Sequence, residues 1–227
     1  MHKIDIPSHI IEACIARRGK VHAVNRLDLA ATALVVIDMQ HSWLDAGAAC
    51  EIPQARSIID NINMLANAIR ANSGKVAWTQ SSFGADWTRT AYRHLGDPEW
   101  IERIITETNP AHPGYRISDR MDLKTGDIVS QKSRPSALIQ GSSDLHDQLQ
   151  AIGISTLIIT GTLTNACCES TARDAAALGY EVLFASDGTA TRSDTEHNAT
   201  LINLMQLVAD VRTCTELVDL IRRSAVA

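Results

Sequence analysis

Residues 156–185 read TLIITGTLTNACCESTARDAAALGYEVLFA, and the fold follows from this stretch. Thr156 to Thr160 (TLIIT) and Val182 to Ala185 (VLFA) are continuous apolar runs of strand length. Between them, Cys167 to Leu178 carries a helical spacing. Cys168, Thr171, Ala172, Ala175, Ala176 and Gly179 fall on one stripe of small residues, suited to packing against a sheet. Gly179 stands where a residue just past a helix end is expected. Strand, helix and strand in about 30 residues make a βαβ unit, and strands without polar alternation belong to a parallel sheet covered on both faces.

Working outward, Ala33 to Ile37 (ALVVI), Lys75 to Thr79 after Gly74, and Thr125 to Ser130 around DIV read as further strands. Ala55 to Asn72, Asp144 to Ile152 and Asn198 to Asp210 read as helices. Strands alternating with helices predict an α/β fold, a three-layer α/β/α domain over residues 29–227. Residues 1–28 form an N-terminal extension with a short helix in IPSHIIEACIARR, read as a packing arm that reaches a neighbouring subunit. Residues 81–118 break the rhythm as a long irregular stretch carrying Trp87, Tyr92, His94, Trp100, His112 and Tyr115, and are expected to cover a substrate.

The 227 residues are 45% apolar and 21% charged, enough for one domain with a sizeable core. A net charge of −5 without a block of like charges leaves no basic stripe, so nucleic acid is not an expected partner. No apolar stretch approaches the roughly 20 residues that span a bilayer, and residues 1–20 lack the pattern of a signal peptide. No membrane partner and a cytoplasmic location are expected. Five cysteines, an odd number without CxxC or Cys/His spacing, indicate neither a disulfide framework nor a metal site. They leave room for a working thiol.

In an open parallel sheet, ligands sit beyond the carboxyl ends of the strands. The first strand ends at Asp38, the DIVSQK strand at Lys132, and TLIIT in a GTLTNA turn that delivers Cys167 to a helix start. An acid, a base and a thiol therefore arrive at one edge. Taken singly, Asp38 reads equally well as a helix cap, Lys132 as a solvated lysine and Cys167 as a small core residue. Together they suit amide chemistry. A helix start and a nearby cation favour the Cys167 thiolate as nucleophile, Asp38 moves the proton, and Lys132 holds the charges. Backbone N–H groups of the turn are placed for an oxyanion hole.

ALVVIDMQ (33–40), QKSRPSAL (131–138) and IITGTLTNACCESTARDAAALGYEVLFASDGTA (158–190) together resemble the isochorismatase-like cysteine hydrolases, over roughly residues 30–215. That family includes nicotinamidases, carbamoylsarcosine amidases and ureidoacrylate amidases. The resemblance implies a Rossmann-like, six-stranded, mostly parallel sheet, a triad of Asp38, Lys132 and Cys167, a covalent thioester, and assembly as a homo-oligomer, dimer or tetramer. It also implies a cis peptide between Thr162 and Leu163, with the N–H groups of Leu163 and Cys167 forming the oxyanion hole.

Departures from the family narrow the chemistry. VAWTQSSFGADW (76–87) holds no histidine where metal-dependent nicotinamidases have one, so no metal or other cofactor is expected. Members that cleave the vinyl ether of isochorismate typically lack the cysteine. Pro135 stands where ureidoacrylate-type amidases often carry an aromatic residue, which argues against that one substrate. Trp43, Gln80 and Ser136 are pocket-lining candidates by position. The expected function is cysteine-dependent hydrolysis of a C–N bond in a small amide, ureido or carbamoyl substrate. The alternatives are a vinyl ether hydrolase and a non-catalytic binding protein of the same fold.

Overall fold

Every residue of β1 (Thr32–Ile37) is buried, because both of its faces are covered. The computed structural model, which describes residues 1–226, places β1 at the centre of a sheet. The other strands are β2 (Lys75–Ser81), β3 (Ile128–Lys132), β4 (Thr156–Thr162), β5 (Glu181–Ala190) and β6 (Asp210–Arg212). Their order is β3-β2-β1-β4-β5-β6, and all neighbours run parallel. The chain builds outward from β1 on one side and returns to build β4 to β6 on the other. The switch point lies between β1 and β4, where Ile37 pairs with Gly161.

Alternate residues of β1 serve opposite layers. Leu34 and Val36 share a core with α3 (Ile59–Arg70) and α9 (Cys214–Ala225), through residues such as Ile62, Leu65, Leu217 and Ile221. Ala33, Val35 and Ile37 belong to the opposite core, with Leu149 of α6 (Leu145–Ala151), Ala172 of α7 (Glu169–Ala177) and Leu204 of α8 (Asp194–Leu207). Burying each such aliphatic side chain is worth about 1.5–3 kcal/mol, and this burial holds the three layers together. Cys168 lies in the same core with no exposed surface, consistent with the small-residue stripe. At the switch point, Gly161 has φ +107° and a Cβ there would overlap the backbone of Ile37, so only glycine lets β4 lie this close to β1.

Three expectations are corrected. The helix expected over Asn198 to Asp210 is α8, which starts earlier because the Ser193 hydroxyl accepts from the N–H of Glu196, and which ends at Leu207. Asp210 belongs instead to β6. Its charge is buried through Arg212 at 3.0 Å, the N–H of Val24 at 2.8 Å and His22 at 2.8 Å.

Residues 81–118 are not irregular but hold α4 (Ala85–Ala91) and α5 (Pro98–Glu107). Asp97 caps α5 by accepting from the N–H of Trp100 at 2.8 Å, with Pro98 in the first turn. The strand expected to start at Thr125 is β3, which begins later, at Ile128, and closes at Lys132 as the sequence placed it.

The N-terminal extension holds α1 (Ser8–Arg18), and it packs on its own chain against α8. Cys14 Sγ lies 3.7 Å from the carbonyl of Met205, and the Asn198 side chain bonds the backbone of both Lys3 and Asp5.

Candidate active site

Asp38 follows β1 with φ 54°, a left-handed conformation unusual for a residue with a side chain. Its neighbours in the sheet hold it there. The Thr79 hydroxyl donates to Asp38 Oδ1 at 2.9 Å, and the Thr162 hydroxyl to the Asp38 carbonyl at 3.3 Å. Lys132 closes β3, and its side chain runs under the crevice with no exposed surface. Cys167 sits in a wide single turn, Thr164–Cys168, that leads from β4 into α7. The Thr162–Leu163 peptide before this turn is cis.

The three side chains meet. Lys132 Nζ lies 2.9 Å from Asp38 Oδ2 and 3.4 Å from Cys167 Sγ, and it donates to the carbonyl of Arg134 at 3.0 Å. Asp38 Oδ2 thus faces the Lys132 ammonium, while Oδ1 takes the Thr79 hydroxyl. A carboxylate has more lone pairs than the ammonium and the Thr79 hydroxyl occupy, so Asp38 can still take a proton. Phe83 covers the cluster, with its ring centroid 5.4 Å from Lys132 Nζ.

Burial decides the charges. It pushes the Cys167 thiol up to about 12; Lys132 pulls the other way, and Asp38 adds to the rise. Burial alone would lower the Lys132 ammonium, but Asp38 and Cys167 beside it raise it above its ordinary value. The cation expected beside Cys167 is in place as Lys132, and burial of the thiol acts against it.

Beside this cluster opens a cavity of about 770 Å³, walled by Trp43, Phe83, Tyr92, Trp100, Leu163 and Ala166. Asn165 and Arg192 add polar groups to its lining. Trp43 is thus on the cavity, as its position suggested. Gln80 and Ser136 are outside that lining. Gln80 donates to the carbonyl of Tyr115 at 2.9 Å, and the Ser136 hydroxyl accepts from the N–H of Leu138 at 3.1 Å. Thr79 went unnoticed in the sequence, although its place opposite Ile37 in the β1–β2 register puts it beside Asp38. Among the described residues, no three His, Cys, Asp or Glu side chains group as a metal-ligand set.

A crevice at the switch point of an open parallel sheet defines a doubly wound α/β protein with its ligand site at the strand ends. The Isochorismatase domain model matches residues 32–216, and the chain belongs to the isochorismatase family. It is 32% identical over 195 residues to Nicotinamidase 3 of Arabidopsis thaliana, covering 85% of this chain and 87% of that protein. It is 30% identical over 179 residues to the ureidoacrylate amidohydrolase RutB of Methylorubrum extorquens, covering 71% of each. In fold it is similar to a cysteine hydrolase from Pseudomonas syringae pv. phaseolicola, with a TM-score of 0.79 at 22% identity, covering 89% of this chain and 97% of that one.

Proposed function

We propose that this protein hydrolyses a C–N bond in a small amide, ureido or carbamoyl compound, with Cys167 as nucleophile. The observation that carries the reading is the buried contact of the Lys132 ammonium with both Asp38 and Cys167. The related nicotinamidase and ureidoacrylate amidohydrolase add support, since both names describe amide-type C–N cleavage.

A thiol held near 12 attacks only if its proton leaves as the new bond forms. Asp38 Oδ2 takes that proton while Cys167 Sγ bonds to the substrate carbonyl carbon, and the Lys132 ammonium balances the negative charge throughout. The N–H groups of Leu163 and Cys167 hold the tetrahedral oxyanion. The C–N bond then breaks, Asp38 returns the proton to the departing nitrogen, and a thioester remains. Water, deprotonated by Asp38, attacks the thioester and expels Sγ, which takes back its proton.

The test is ammonia release across a panel of ureides, carbamoyl compounds and carboxamides, run for wild type, Cys167→Ala and Cys168→Ala. Turnover by wild type and Cys168→Ala but not by Cys167→Ala is the expected result. Full activity in Cys167→Ala sinks the proposal.

A further inference from the structure

The N-terminal arm lies outside the matched domain, yet its second residue is buried at the back of the Cys167 turn. The His2 ring stacks on His197, with centroids 4.4 Å apart and planes 16° from parallel. His197 is fully buried, and its Nε2 faces the Ser186 carbonyl at 2.9 Å. A carbonyl only accepts, so Nε2 carries the proton and Nδ1 is left as an acceptor. Nδ1 lies 2.9 Å from the Thr164 hydroxyl, which must be its donor. Burial holds His197 down at about 4, so the ring is neutral and this bond keeps its polarity.

A second route starts from the same ring. His2 Nε2 accepts from the backbone N–H of Thr191 at 3.0 Å, and the Thr191 hydroxyl donates to Asn165 Oδ1 at 2.6 Å. His2 Nδ1 faces Asp194 Oδ1 at 2.8 Å, which fixes the ring at its outer edge. The two routes end on Thr164 and Asn165, adjacent residues of the turn that contains Cys167.

We infer that the arm is part of the apparatus that positions Cys167, with His2 and His197 as positioning residues that act through Thr164 and Asn165. The inference rests on the reading of Cys167 as the nucleophile. A nucleophile displaced by a fraction of an ångström from its proton acceptor loses rate more than it loses binding.

The experiment compares wild type with His2→Ala, His2→Phe, Thr164→Val and Thr164→Ser in the full chain. It measures kcat and KM on a panel compound that wild type turns over, thermal midpoint, and the rate at which iodoacetamide labels Cys167, followed by peptide mass spectrometry. His2→Ala is expected to lower kcat roughly tenfold, leaving KM within about twofold. His2→Phe keeps the stacked ring and should recover part of the loss. Thr164→Val should reproduce the loss and Thr164→Ser should restore the rate, since serine keeps the hydroxyl. Wild-type kcat in His2→Ala overturns the inference, as does a loss that follows the thermal midpoint with no recovery in His2→Phe or Thr164→Ser. If wild type turns over nothing in the panel, the functional reading fails first and the labelling rate decides. A several-fold change in His2→Ala upholds the arm's hold on the turn, and an unchanged rate overturns it.

Discussion

The Lys132 ammonium has three N–H groups and three partners: a carboxylate, a thiol and a backbone carbonyl. Removing it alone leaves Asp38 buried as an uncompensated charge, which typically costs about 3–5 kcal/mol. Lys132→Met should therefore destabilise the protein severely. Asp38→Asn combined with Lys132→Met should recover more than about 1 kcal/mol of that loss, because both charges then leave together. Urea unfolding of both single variants and the double variant measures the coupling, and strict additivity would refute it. That Asp38, Lys132 and Cys167 meet was legible in the sequence, because each ends a strand of a parallel sheet and such ends share an edge. The burial that raises the Cys167 thiol was not legible. It comes from the packing around the turn Thr164–Cys168, and no residue spacing encodes depth.

Two helix caps of similar chemistry separate binding from stability at the scale of elements. Asp97 caps α5, which presents Trp100 and Ile104 to the cavity, whereas Thr213 caps α9 on the outer layer through a capping box with Glu216. Either cap is worth about 1 kcal/mol. Asp97→Ala should raise KM several-fold by loosening the cavity wall. Thr213→Ala should lower the thermal midpoint and leave KM alone, as steady-state kinetics beside thermal melts of the two variants would test. The strands rich in Ile, Val and Leu were readable because burial on both faces leaves them no polar residues. β6 was not, because two of its three residues are charged and their burial is made possible by partners, Val24 and His22, nearly 190 positions away. Helices α4 and α5 were missed for another reason. Both are short and flanked by Gly84, Gly96 and Pro98, which read as breaks when the packing of Phe83, Trp87, Tyr92 and Trp100 is unknown.

For the whole molecule, the three-layer packing that builds the crevice also buries all five cysteines. Burial raises the Cys167 thiol to about 12 and pushes Cys50, Cys168 and Cys214 well above the ordinary value of 9.0. The sign of the resulting pH dependence follows from the protons bound. Below about pH 9 these thiols are protonated in both folded and unfolded chains, and they do not distinguish the two. Above it the unfolded chain releases protons that the folded chain keeps, so stability falls as pH rises toward 12 and beyond. Each such thiol steepens the fall by up to about 1.4 kcal/mol per pH unit. The thermal midpoint should therefore drop from pH 9 upward far more steeply than surface charge alone would cause. Cys168→Ala and Cys214→Ala, which keep a small apolar side chain, should each flatten the slope even where they lower the midpoint at pH 7. Melting curves between pH 7 and pH 11 distinguish the two effects. A slope unchanged by either variant would mean that the core admits solvent to these thiols and that burial does not hold them above 9.0.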